Sequence, residues 1–136
     1  MTRVLLDTNA YRALGAGNPE ALALLDRAAA IAMNTIVLGE LLAGFAAGSR
    51  EQENRRALAE FVEAANVEWL PLIPATAEEY ARIYKSLRSA GRLIPTNDMW
   101  VAASAMEHAM PLFTYDRHFD EIAHLRAGST VDELKI

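Results

Sequence analysis

Four acidic residues stand where chemistry could use them. Asp7 closes the apolar run Val4-Leu5-Leu6, and Glu40 lies inside the apolar stretch IVLGELLAGF. Asp98 follows Pro95-Thr96-Asn97, and Asp116 follows Leu112-Phe113-Thr114-Tyr115. Gathered together, such groups need a compensating cation. Two carboxylates about 4 Å apart repel by roughly 4 kcal/mol at an effective dielectric of 20. Hard carboxylate oxygens select Mg²⁺ or Mn²⁺ over softer metals. A site of this kind with open positions holds water and a phosphate, the equipment of phosphodiester hydrolysis. No cysteine competes, and His108, His118 and His124 lack zinc-ligand spacing and read as surface or packing residues.

Each acid also has a purely structural reading. Asp98 in a first helical turn is favourable with no function at all. Asp7 and Asp116 each suit an N-cap. Glu40 reads as a solvated helix residue, although its neighbours Val37, Leu38, Leu41 and Leu42 are apolar.

The acids need elements to bring them together. Val4-Leu5-Leu6 reads as a strand buried on both faces, and such strands end at the edge where open α/β sheets place ligands. Thr8 to Leu14 reads as a short helix ended by Gly15, Gly17 and Asn18, and Pro19 opens a second helix to about Ala29. Ile31-Ala32-Met33 is a second strand. Asn34 or Thr35 then caps a helix carrying Glu40 in its second turn. Gly39 and Gly44 flank that acid at about 1 kcal/mol each relative to alanine, which predicts a close approach to this helix. Ser49 with Gln52 reads as a capping box opening a helix to about Ala65. Val67 to Leu70 is a third strand, and Thr76 caps a helix to about Ala90. Arg92 to Pro95 is a loop, and Thr96 caps a helix stopped by Pro111. Leu112 to Tyr115 is a fourth strand. A short helix covers 117–123, and 125–136 is a tail with room for one edge strand. Strands separated by helices imply right-handed βαβ units and a parallel sheet. Asp7, Asp98 and Asp116 then converge along its carboxyl edge.

A length of 136 residues predicts one domain. The net charge of −5 opposes binding of nucleic acid by bulk charge, unless the acids are concentrated in one site. No apolar run approaches the roughly 20 residues of a membrane span, and the charged, strand-like start is unlike a signal peptide. A cytoplasmic protein without a membrane anchor is the expectation.

RVLLDTN, NTIVLGELLAGF, GRLIPTNDMWVAASA and PLFTYDRHFDEI together resemble a PIN domain, and more narrowly the VapC-type ribonuclease toxins of toxin–antitoxin modules. The resemblance runs from Arg3 to about Leu125. It implies a three-layer α/β/α fold with a small parallel sheet of four to five strands flanked by helices. It implies a Mg²⁺- or Mn²⁺-dependent endoribonuclease. Carried over, Asp7, Glu40, Asp98 and Asp116 are the catalytic acids, with Asp7, Asp98 and Asp116 on the metal. Thr8, Asn9 and Thr114 orient carboxylates or water. The resemblance further implies an RNA substrate, a homodimer, and a cognate antitoxin that lays a helix and an extended tail over the chain, for which the helices between Ile36 and Phe61 offer an apolar groove.

Arg82, Lys85, Arg88 and Arg92 are the candidates for RNA backbone contacts, and Arg50, Arg55 and Arg56 form a second basic cluster. Two rival readings remain at this point. A non-catalytic PIN-like scaffold in RNA processing is opposed by the intact acids. A small Mg²⁺-dependent phosphatase or phospho-acceptor domain also puts aspartates at strand ends. Asp7 is followed by Thr8-Asn9 rather than a second spaced aspartate, and no lysine ends a late strand.

Overall fold

The computed structural model describes residues 2–136. Its centre is the apolar run Val4-Leu5-Leu6, which has no exposed surface. These residues form strand β1 (Arg3–Leu6), and parallel strands flank it on both sides. On one side lie β2 (Ala30–Asn34) and then β3 (Glu68–Leu70), and on the other lie β4 (Leu112–Phe113) and then β5 (Ala127–Gly128). The order β3-β2-β1-β4-β5 is parallel throughout. Chain order runs outward from β1 to β3, then returns across the sheet to β4. The reversal falls between β1 and β4, which is where open α/β sheets leave a crevice.

Helices α1 (Thr8–Gly15), α2 (Pro19–Arg27), α3 (Thr35–Ala47), α4 (Glu51–Ala64), α5 (Pro74–Ser89), α6 (Thr96–Glu107) and α7 (Val131–Leu134) complete the α/β architecture, with a 3-10 turn at Arg117–Glu121. Tyr80 of α5 stacks on Trp100 of α6 with ring centroids 4.2 Å apart. Among the described residues, no helix is long and apolar enough to cross a membrane.

Asn34 joins three elements. Fully buried at the end of β2, it caps α3 by accepting from Val37 N at 2.9 Å. Its Nδ2 donates to Ser104 Oγ of α6 at 3.0 Å. Of the two caps weighed for α3, Asn34 is the one used. This junction sets the helix carrying Glu40 against the helix carrying Asp98.

Several local expectations are corrected. Ser49 forms no capping box, because α4 starts at Glu51 with Arg50 at its N-cap and no side-chain cap bond. Arg50 instead pairs with Glu53 at 2.6 Å. Thr76 is not an N-cap. It lies buried in the first turn of α5, accepts from Ile73 N at 3.1 Å, and donates to Glu107 of α6. Thr96 is the first residue of α6, not its cap, and Pro95 holds the cap position without a side-chain bond. In each case the helix begins earlier or later than the hydroxyl's place in the sequence suggests. Strand β4 ends at Phe113, so Thr114 and Tyr115 lead away from the sheet toward Asp116. The tail forms an edge strand, β5, followed by α7, which the sequence reading did not anticipate.

Candidate active site

The carboxyl ends of β1 and β4 and the N-terminus of α6 open on one pocket of about 780 Å³. Asp7, Glu40, Asp98 and Asp116 all line it, with Thr8 and Asn9. Chain positions separated by up to 109 residues thus share one cavity, as parallel strand topology requires.

Asp7 is both a cap and a wall of the site. Its Oδ1 accepts from Ala10 N at 2.8 Å and starts α1. Its Oδ2 accepts from the hydroxyl of Thr114, which in turn accepts from Asp116 N at 3.0 Å. Thr114 therefore links the acids that follow β1 and β4. Burial holds the Asp7 carboxyl above its usual range. The bonds from Thr114 and Ala10 oppose that rise, and the charges of Asp98 and Asp116 add to it. The Asp98 carboxyl is likewise raised, chiefly by burial, with His118 opposing and Asp116 and Glu40 adding. Two carboxylates that resist ionisation beside two further acids are groups whose charge a bound cation would stabilise.

Glu40 is held by Thr8, whose Oγ1 donates to Oε1 at 2.8 Å. Asn9 lines the pocket and accepts weakly from Arg12 Nη1 at 3.4 Å. The close approach predicted by the glycines beside Glu40 is met at Gly44, where an added Cβ would lie 3.1 Å from Arg12 Nη2. At Gly39 an added Cβ meets nothing within 4 Å.

Two residues at the site were missed in the sequence. His118 presents Nδ1 to Asp98 Oδ2 at 3.3 Å and to Asp116 Oδ1 at 3.1 Å. One donor atom from each of Asp98, Asp116 and His118 lies within 4.8 Å of the others. A histidine two residues after an acid, within the string TYDRHFDE, was the available signal; zinc-type spacing was the wrong template for a ligand set drawn from separate segments. Arg12 also lines the pocket. Its signal is its place one helical turn after Thr8, which puts it on the same face of α1.

The donor set fits a hard or borderline divalent cation. It offers carboxylate oxygens, one imidazole nitrogen and no thiolate.

The RNA candidates are not brought together as one row. Arg92 lies beyond the end of α5, pairs with Glu121 at 3.2 Å, and lines a cleft next to the acidic pocket. Arg82 pairs with Glu79 at 2.7 Å and lines a different pocket, with Ile122 and His124. Lys85 and Arg88 are exposed on α5. In the second basic cluster, Arg50 and Arg55 are engaged by Glu53 and Glu51.

Known proteins resemble this chain in sequence and in fold. Residues 4–125 match the PIN domain family. The chain is 31% identical over 133 residues to the ribonuclease VapC5 of Mycobacterium tuberculosis, covering 97% of this chain and 94% of that relative. Its fold is similar to the crystal structure of DNA-bound VapBC from Salmonella typhimurium, with a TM-score of 0.83 at 20% identity over 93% of this chain and 97% of that one. It is also similar to VapBC-5, a member of the VapBC family of toxin–antitoxin systems from Mycobacterium tuberculosis, with a TM-score of 0.74 at 26% identity, covering 96% of this chain and all of that one. With its acids gathered on one sheet edge and the match spanning nearly its whole length, the chain belongs to the PIN domain family and is a homologue of the VapC ribonucleases.

Proposed function

We propose that this chain is the endoribonuclease toxin of a toxin–antitoxin module, hydrolysing RNA phosphodiester bonds with Mg²⁺ or Mn²⁺. The observation that carries this reading is the lining of one pocket by Asp7, Glu40, Asp98 and Asp116 in a homologue of a named ribonuclease. Asp98, Asp116 and His118 would hold the cation, with Asp7 close enough to feel the first two charges. Such an ion, when bound, lowers the pKa of water and stabilises charge on phosphate oxygens.

The protein's own groups do the rest. Thr114 orients Asp7 toward the pocket while its backbone-bonded oxygen holds the Asp116 loop. Thr8 fixes the Glu40 carboxylate, leaving Oε2 to accept a hydrogen bond from the attacking water. Arg12 offers a guanidinium to a phosphate at the pocket wall. Arg92 extends the path for the RNA backbone from the adjoining cleft, and Lys85 and Arg88, exposed on α5, are further candidates for backbone contact.

An antitoxin and a second copy of the chain are the proposed protein partners. The apolar helix α3 keeps Ile36, Leu38, Leu42 and Phe45 only half-buried, which supports docking of an amphipathic helix there. Light scattering of the chain alone checks the homodimer.

The decisive assay incubates the protein with RNA and with a generic phosphomonoester, with Mg²⁺, with Mn²⁺ and with chelator. Cleavage of RNA alone, dependent on the ion and absent in Asp98→Asn, is expected. Hydrolysis of the phosphomonoester instead would move the chain to the phosphatases.

A further inference from the structure

Beside the acidic pocket lies a second cleft of about 700 Å³, of which the proposed function draws only on Arg92 and on the wall shared with the pocket. The two share Asn9, Asp116 and His118 as a common wall. The far side is formed by Arg92, Leu93 and Tyr115. Tyr115 is 42% exposed and Leu93 53%, among the most exposed large apolar side chains in the molecule. Neither exposure is explained by packing.

Tyr115 is nonetheless held firmly. Its ring rests on that of the fully buried Phe113, with centroids 5.5 Å apart at 55°. It sits in the short link between Thr114, which is bonded to Asp7, and Asp116, which caps the following turn through His118 N at 2.9 Å. An exposed ring on a rigid link is preorganised for stacking, since little conformational freedom is lost on contact.

We infer that this cleft is a nucleobase subsite, in which the base of a nucleotide next to the scissile phosphate stacks on Tyr115 against Leu93, with Arg92 toward the backbone. The inference rests on the ribonuclease reading and names the form of its substrate. Three features favour a nucleotide. The volume lies within the roughly 300–1,000 Å³ of small-ligand sites. The cleft shares Asp116 and His118 with the pocket where a phosphate would be cut. Its wall combines an aromatic face with a guanidinium, which is how unpaired bases and their backbone are held. Arg92 is bound only at the surface by Glu121 and is 63% exposed, so it can turn toward phosphate. Arg117, on the same wall, is engaged by both Asp120 and Glu133 and stays structural. A base can enter only if it is unstacked, so the substrate is single-stranded at the cut.

The test measures binding by fluorescence anisotropy in an Asp7→Asn background, with Mg²⁺ present. The probes are a mixed-sequence single-stranded 12-mer RNA and an abasic ribose-phosphate 12-mer. With Tyr115 in place, the base-bearing RNA should bind more tightly than the abasic one. Tyr115→Leu should weaken the base-bearing RNA about tenfold, equal to about 1.4 kcal/mol, while Tyr115→Phe binds as Tyr115 does. The abasic RNA should bind all three alike. Equal binding of the two RNAs by the Tyr115 protein overturns the subsite without reliance on any variant at position 115, and so does equal weakening of both by Tyr115→Leu. If the abasic RNA binds and only the base discrimination is missing, the ribonuclease reading survives. If neither RNA binds, both fall.

Discussion

At Asp7 the demands of folding and of chemistry oppose each other. The carboxylate caps α1, yet burial, with two neighbouring acids adding, raises its pKa above the ordinary aspartate value of 3.8. The folded state therefore holds protons that the unfolded chain has already lost, so stability falls as pH rises from about 3.8 through the raised value. Asp98, raised for the same main reason, adds to the trend. Urea titrations in chelator should show the metal-free protein losing stability across that window as pH increases. Asp7→Asn keeps an oxygen for Ala10 N and removes the buried charge. It should abolish RNA cleavage and flatten the pH dependence, and at pH 7 it should melt no lower than the parent in chelator. A variant that melts lower there would mean the Asp7 charge is satisfied within the chain itself. The proposed place of His118 among the cation's ligands would bear on metal choice at the same scale. Imidazole favours transition ions over Mg²⁺, so His118→Gln should reduce Mn²⁺-supported cleavage more than Mg²⁺-supported cleavage in parallel assays.

Among the elements, precision depends on junctions more than on the strands. Asn34 both caps α3 and reaches Ser104 on α6. Loss of a cap alone costs about 0.5–2 kcal/mol, and orphaning a buried partner adds about 1–3 kcal/mol. Asn34→Ala should therefore lower unfolding free energy by about 1.5–5 kcal/mol and lower the cleavage rate, since Glu40 and Asp98 ride on the two helices it joins. A variant stable and fully active would show that the junction is dispensable. Gly128 is the second such point, because an added Cβ would lie 2.6 Å from the Cβ of Glu133. Glu133 accepts from Ser129 N and pairs with Arg117, which holds α7 on the turn after Asp116. These junctions explain what was legible in the sequence. Val4-Leu5-Leu6 and the alternation of strands and helices carry the parallel sheet openly, and the acids at strand ends carry the site. Caps were less legible: Thr76 and Thr96 have the right side chain, but the helices start at Pro74 and Thr96 themselves. His118 and Arg12 escaped because their roles arise from contacts between segments, which no local spacing records.

For the whole molecule, the proposed RNA substrate raises the question of how a chain of net charge −5 would hold a polyanion. Six of its eleven arginines are already paired. Arg3, Arg50, Arg55, Arg82, Arg92 and Arg117 each pair with an acid at 2.6–3.4 Å. Exposed pairs of this kind add little stability, but they cancel charge locally. At the site this leaves Arg12, with Arg92 able to exchange Glu121 for phosphate; elsewhere, the exposed Lys85 and Arg88 of α5 form no ion pair among the described residues. Four such contacts at about 0.7 counterions each give a slope near −3 for the logarithm of the binding constant against that of salt concentration on single-stranded RNA. In the proposed reading the remaining affinity would come from a cation held in the acidic pocket and from apolar contact with bases, and neither would release many counterions. Anisotropy titrations of the Asp7→Asn protein across a salt series should therefore give a shallow dependence. A slope near −7 would require about ten phosphate contacts, more than this surface can supply without a partner chain.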